Sequence, residues 1–180
     1  MTPLNEPLGL KRGEARVVPW DARWPALFER AAQELTDSLG ASIIAVHHVG
    51  STSIHGLCAK PIIDILVSIA EVDAVPPLLP RIESLGYEFR PDKEIPERRY
   101  FRRPPGGELR THHLSFAEPE SRHHRVTIAF RDALRGDTRL AAEYARLKEE
   151  LARKFPRDRA SYIEGKTGFV LRVLADTGVK

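Results

Sequence analysis

Lys60-Pro61-Ile62-Ile63-Asp64-Ile65-Leu66-Val67 is an apolar, largely β-branched run with one carboxylate inside it. A run apolar on both faces predicts a strand over 62–69 at the centre of a covered sheet. Side chains alternate along a strand, so Asp64, Leu66 and Ser68 share one face. Burying Asp64 there is costly unless a cation, a metal or hydrogen-bond donors accompany it. Upstream lies His48-Val49-Gly50-Ser51-Thr52-Ser53, a Gly-Ser turn closing a short β-branched strand over 42–49. A Gly-Ser turn leading towards a carboxylate on a central strand is a layout suited to holding phosphate.

The turn supplies the parts for that. Glycine lets backbone approach a ligand closely, while Ser51 and Thr52 offer hydroxyls and backbone N–H groups to phosphate oxygens. It is not a Walker loop, because Lys60 comes four positions after Gly56 rather than directly after it. By itself the turn reads first as an ordinary strand-to-helix connection, and its value comes from the carboxylate that follows.

Metal-dependent phosphoryl or nucleotidyl transfer generally needs two carboxylates two residues apart on such a strand, converging on a pair of divalent cations. Here the first position is Asp64 and the second is Leu66. The alternative reading of Asp64 is a structural acid bonded to Lys60, an arginine or backbone amides. Candidates for a second carboxylate from elsewhere are Glu108, Glu118 and Asp132.

Around this centre the pattern predicts an α+β domain: a mixed β-sheet with helices packed on one side and a helical C-terminal third. Residues 1–16, with Pro3, Pro7, Gly9 and Gly13 and no periodicity, read as a flexible arm, and 17–180 as a single domain. Trp24, Leu27, Phe28, Ala31, Leu35 and Leu39 recur at helical spacing, with Pro25 in the first turn. Residues 72–85 read as a helix whose start is frayed by Pro76, Pro77 and Pro80. Strands are expected over 87–90, 98–103 and 111–117. From Arg122 the character is helical, and Asp137 and Asp158 stand as N-caps of helices over 138–155 and 159–175.

The remaining polar signals fall on these elements. In Thr111-His112-His113-Leu114-Ser115-Phe116, His112 goes with the core face, whereas Thr111, His113 and Ser115 face the other way. His113 beside one carboxylate would suit a metal ligand or an acid–base group near neutral pH. His47 and His48 split across two faces, with His48 near the Gly-Ser turn, and His123-His124 reads as solvated. Lys166 lies within the stripe Ile163, Val170, Val173, and Lys148 within the stripe Tyr144, Leu151, Phe155. Such lysines either snorkel at the stripe's edge or line an anionic ligand pocket. Arg131 and Arg135 sit beside apolar anchors on a helix.

The 180 residues, 42% hydrophobic and 29% charged, belong to a globular chain with a proper core rather than to a disordered one. The formal charge of +3 does not by itself point to nucleic acid. The cations are mostly arginine, which suits a phosphate-bearing ligand and equally reflects composition bias. One cysteine, Cys58, leaves no intramolecular disulfide. Met1-Thr2-Pro3-Leu4-Asn5 lacks a basic region followed by an apolar stretch, and no apolar run is long enough for a bilayer. The expectation is a cytoplasmic protein with no membrane partner.

Several separate blocks, in order, resemble the GrpB family of the nucleotidyltransferase superfamily, a family also found fused to dephospho-CoA kinases. They are Trp20-Asp21-Ala22-Arg23-Trp24-Pro25, His48 to Leu57, Lys60 to Ile65 and Thr111-His112-His113-Leu114. Phe130-Arg131-Asp132-Ala133-Leu134-Arg135, Tyr144 with Lys148, and Tyr162 with Lys166 complete the set, so the likeness runs from about Val17 to Leu174. The resemblance implies a nucleotidyltransferase-like core with Gly50-Ser51 and Asp64 at the superfamily's glycine-serine and first-carboxylate positions. Two departures stand out: Leu66 at the second carboxylate, and Ser115 where the family often has a histidine.

The expected function is that of a nucleotidyltransferase-like protein binding a nucleotide or other phosphate-bearing small molecule, with its acceptor unassigned. Gly50, Ser51 and Thr52 would hold phosphates, with Lys60, Arg131, Lys148 and Lys166 neutralising charge. Asp64, helped by His113, would act in catalysis and bind a divalent metal, Mg or Mn. The alternative is a non-catalytic module for a nucleotide or a coenzyme-A-type ligand that has lost the metal clamp. A third reading, an RNA-associated protein, rests on arginine content alone.

Overall fold

The structure is a computed structural model that describes residues 7–11, 13–91, 94–106 and 109–179. Its centre is a five-stranded mixed sheet of strand order β2-β3-β7-β5-β4. The strands are β2 (Ala45–Val49), β3 (Ile63–Ser68), β4 (Glu88–Phe89), β5 (Arg98–Arg103) and β7 (His112–Ala117). Only β3 and β7 pair in parallel; the other neighbours are antiparallel. The run that opens the sequence argument is thus the covered inner strand it predicts, with Ile63, Ile65, Leu66 and Val67 each no more than 2% exposed.

One face of the sheet carries Ile63, Ile65, Val67, Phe101, Leu114 and Phe116, and helix α1 (Trp24–Leu39) lies against it. The apolar stripe of α1 is Trp24, Phe28, Ala31, Leu35 and Leu39, spaced to fall on one side of a 3.6-residue helix. Pro25 occupies the first turn, where its missing N–H has no intrahelical partner to lose. Ile82, from α2 (Leu79–Ser84), extends the same cluster.

The helix expected over 72–85 is shorter than its pattern. Val72–Ala74 and Pro76–Leu78 form separate 3₁₀ turns, and regular helix begins only at Leu79. Pro76 and Pro77 remove two backbone donors from that stretch, whereas Pro80 falls in the first turn of α2, where proline is tolerated. The strand expected from 42 begins at Ala45, because Gly40–Ser42 closes a 3₁₀ turn at the end of α1.

Helices α3 (Arg122–Gly136), α4 (Thr138–Lys154) and α5 (Arg159–Thr177) form the helical C-terminal third. Both expected caps are present: Asp137 accepts from the Arg139 and Leu140 amides, and Asp158 from the Ser161 amide. Their mutual core contains Leu134, Tyr144, Phe169 and Val173, and it receives Ile54 and Leu57 from the segment after the Gly-Ser turn. Ile128 of α3 covers Val49, Leu66 and Ala117 on the sheet face opposite α1.

The segment read as a loose arm carries fixed contacts in its described part. Leu10–Lys11 (β1) pairs with Leu109–Arg110 (β6), and Leu10 and Ala15 are 1% and 0% exposed. Two isolated apolar residues among prolines and glycines carry no periodicity, which is why the pattern does not reveal them. No helix among the described residues is long and apolar enough to cross a membrane.

Candidate functional site

The face of the sheet that α1 does not cover holds the polar groups. Register places Asp64 of β3 beside His113 of β7, and His113 Nδ1 lies 3.0 Å from Asp64 Oδ1. The opposite nitrogen, His113 Nε2, is buried with no hydrogen-bond partner. Tyr100 of β5 packs edge-on against the His113 ring at 5.6 Å, and the Arg98 guanidinium stands 4.8 Å above Tyr100. Burial, reinforced by the Asp64 charge, pushes the Tyr100 hydroxyl up to about 12, so it stays protonated and donor-capable.

Gly50 closes this corner. Its φ of +68° with ψ of −175° lies in a region that only glycine populates readily. The residue must also lack a side chain, since a Cβ built there would fall on Asp64 Oδ2. The turn that follows, Ser51–Ser53, is bolted from two sides. Ser53 Oγ donates to the Gly50 carbonyl at 2.6 Å, Arg131 reaches the His48 carbonyl at 3.3 Å, and Arg135 donates to the Ser53 carbonyl at 2.9 Å.

These elements border a cleft of about 820 Å³. Gly50, Asp64, His113 and Tyr100 form part of its wall, and five arginines, Arg90, Arg98, Arg102, Arg110 and Arg159, line it against two acids, Asp64 and Glu94. Lys60 and Lys166 stand nearby, their ammonium groups 4.1 and 4.7 Å from the centre of the Tyr162 ring. Burial, then the mutual repulsion of the neighbouring cations, lowers Lys60 to about 7. Burial lowers Lys166 to about 8, against the opposing pull of Asp64.

Of the residues expected at the site, Gly50, Asp64 and His113 therefore meet at the cleft, Ser51 adjoins it, and Lys60 with Lys166 sits behind it. Three others are engaged inside the fold. Thr52 is 1% exposed, and its hydroxyl is hydrogen-bonded to His48 Nε2 at 3.0 Å. Arg131 holds the His48 carbonyl and Asp132. Lys148 is 2% exposed, donates to the Cys58 carbonyl and lies over the Tyr144 ring. The aliphatic stripe carried it inward, where the ammonium found a carbonyl rather than solvent.

The proposed substitutes for a second acid are also accounted for. Glu118 accepts from the Val72 amide at 2.9 Å, Asp132 takes the Arg131 guanidinium at 2.7 Å, and Glu108 lies outside the described residues. Leu66, in the second carboxylate position, is 1% exposed beneath Ile128. No group of three or more His, Cys, Asp or Glu side chains able to hold a metal ion occurs among the described residues. Asp64 is already hydrogen-bonded to an imidazole and forms no such group with Glu94, the other acid of the cleft, so the donors among the described residues do not fit a pair of Mg or Mn ions.

Sequence reasoning missed most of the cationic wall. Arg98, Tyr100 and Arg102 were accessible to it, since Phe101 faces the core and its neighbours must face the cleft. Arg110 and Arg159 are brought in by β6 and the start of α5, and no local pattern marks them. His124, expected to be solvated, instead meets Ser68 Oγ at 2.8 Å, where His47 Nε2 also arrives at 2.9 Å. The first turn of α3 is pressed onto the sheet, and that packing overrides the local polarity.

Two buried imidazoles tie this region to acid stability. Burial lowers both His48 and His112 to about 4. Their folded values lie below the ordinary 6.5, so between pH 6.5 and 4 the unfolded chain binds more protons and stability falls as pH falls. The expected loss over that window is about 2 kcal/mol per histidine. Thermal melts of wild type and His48→Gln check it: the variant should show a shallower decline, and an unchanged slope would refute the assignment.

Comparison with known proteins bears on the family and the fold. The family model described as "GrpB protein" matches residues 14–176. The Bacillus subtilis protein named UPF0157 protein YqkA is 35% identical over 157 residues, which are 87% of this chain and 45% of that relative, so the chain spans about half its length. The crystal structure of conserved protein GrpB from Enterococcus faecalis superposes with a TM-score of 0.82 at 33% identity, covering 90% of this chain and 96% of that one. A more distant likeness, at 13% identity and a TM-score of 0.51, is to Cid1 in complex with its short product ApU, covering 76% of this chain and 43% of that chain. At that identity the likeness concerns the fold alone, which is nucleotidyltransferase-like.

Proposed function

The chain belongs to the GrpB family, and from that premise we propose that its arginine-lined cleft binds a phosphate-bearing small molecule, first among them a nucleotide. One observation carries the reading: five arginines face two acids around a cleft of about 820 Å³, with Gly50 packed against Asp64 in its wall. Planar guanidinium groups match phosphate oxygens in pairs, and five of them on one cleft supply more positive charge than its two acids cancel. In this reading Asp64 and His113 shape the floor of the cleft, and no two-metal chemistry is invoked.

A second reading is favoured by a specific feature, the His113–Asp64 pair with its second ring nitrogen, Nε2, buried and unpartnered. An imidazole oriented by a carboxylate is the arrangement of a general base. In that reading the pair takes a proton from an acceptor hydroxyl. The module that only binds, whether a nucleotide or a coenzyme-A-type ligand, differs from it by one measurement, nucleotide turnover lost in His113→Gln.

Thermal shift with ATP, with and without Mg²⁺, on wild type and Asp64→Ala tests the binding reading. At about a hundred times its Kd a ligand stabilises by roughly 2.7 kcal/mol. The expected result is stabilisation that needs no Mg²⁺ and survives Asp64→Ala, because the substitution removes a charge of the ligand's own sign. Stabilisation seen only with Mg²⁺ and lost in Asp64→Ala would overturn it in favour of metal-dependent chemistry. Affinity should also weaken as pH rises past 7 to 8, where Lys60 and Lys166 lose their protons.

A further inference from the structure

A second cavity, of about 220 Å³, lies between the Gly50–Ser51 turn and helices α3, α4 and α5. Its walls differ in kind from those of the cleft: Ile54, Val126, Phe130, Leu134, Val170 and Leu174 supply most of them. Two residues, Gly50 and Thr127, line both cavities, so the two meet along the edge of the Gly-Ser turn. Tyr144 lines the apolar one, and among the described residues its hydroxyl has no hydrogen-bond partner. The volume corresponds to roughly seven waters, the size of a ring or a short chain rather than a polymer.

We propose that the ligand is bipartite, a phosphate ester whose anionic part lies in the arginine-lined cleft and whose compact, uncharged, apolar group fills this second cavity. The inference rests on the anion-binding reading of the cleft and adds what the rest of the molecule must be. An arginine-lined cleft alone would accept inorganic phosphate and polyphosphates, which are small and abundant. An apolar chamber adjoining it rewards only esters that carry a group able to leave water, and so turns a charge site into a selective one. Beside the Ser51, Thr127 and Arg131 side chains on its rim, Tyr144 gives that chamber a polar handle, a hydroxyl kept protonated because burial raises it far above neutrality. A nucleobase, through its apolar faces, and the arm of a pantetheine phosphate, through its methyl and methylene groups, are uncharged groups that could fill it, and the test separates them.

The experiment compares charge-matched probes by calorimetry: ATP with tripolyphosphate, and pantetheine 4′-phosphate with methyl phosphate. In wild type, at least one ester should bind about tenfold or more tightly than its matched anion, and the pair that shows the advantage identifies the source of the apolar group. Val170→Phe, which places a ring in the chamber without touching the cleft, should erase that advantage and leave tripolyphosphate binding unchanged. Leu174→Phe fills the same space from the next turn of α5 and serves if the first variant melts early. Tripolyphosphate binding with no advantage for either ester, or an advantage that survives both variants, overturns the bipartite ligand alone. Failure of every anion to bind overturns the cleft reading and this inference together.

Discussion

Alanine at position 50 is expected to cost about 3 kcal/mol of stability or more and to abolish anion binding in the cleft. Two independent penalties combine there. The backbone at φ +68° and ψ −175° belongs to a region essentially closed to residues with a Cβ. The new methyl would also fall on Asp64 Oδ2 and press against Asp64 Cβ and Cγ at 3.0 Å. Neither wall can yield easily, because β3 lies between β2 and β7 in the sheet and the turn is tied to α3 through Arg131 and Arg135. Denaturant unfolding of Gly50→Ala, and of Gly50→Ala with Asp64→Gly, separates the two penalties. The double variant should recover the steric part only. A single variant within about 0.5 kcal/mol of wild type that still binds ATP would refute the account.

Lys148→Ala is expected to be nearly as damaging, at about 3 kcal/mol. The side chain fills the space between Tyr144 and the loop before β3, and its ammonium is the donor to the Cys58 carbonyl. Truncation leaves a cavity and an unpaired carbonyl together. Lys148→Met keeps the volume and should lose less than half as much, which distinguishes packing from the hydrogen bond. The pH dependence adds a signature. Burial lowers Lys148 to about 7, below its ordinary 10.5, so the unfolded chain binds more protons between those values and stability rises with pH across them. Lys148→Met should remove its share of that rise; equal slopes in both proteins would mean that the lysine titrates normally.

The parts of the molecule that the sequence makes legible are those written in short-range periodicity. Alternation along 62–69 puts Asp64 on the face of Leu66 and Ser68, and along 111–117 it puts His113 opposite Leu114 and Phe116; the structure makes the two strands neighbours and brings the side chains to 3.0 Å. The stripe of α1 and the aspartate caps of α4 and α5 are equally local. What stayed hidden depends on where the chain returns. Arg110 and Arg159 enter the cleft from segments remote in sequence, and Lys148 and Arg131 look like ligand-seeking cations until the carbonyls they serve are in place. A cation within an apolar stripe announces that it has a partner; whether that partner is a bound anion or a neighbouring carbonyl is decided by tertiary structure.

The parallel pairing of β3 with β7 also has a consequence for how the chain is made. During synthesis β3 can find β2 at once, but its other edge waits until residues 112–117 have left the ribosome. In that interval the most apolar strand of the chain has an open edge, flanked only by a nascent hairpin and by α1. Distant pairings of this kind slow folding, and exposed β-branched edges invite association with other chains. Asp64 places a charge in the middle of that strand. A charge within an apolar strand is the kind of residue that hinders such association, so the carboxylate that lines the finished cleft is also suited to the unfinished chain.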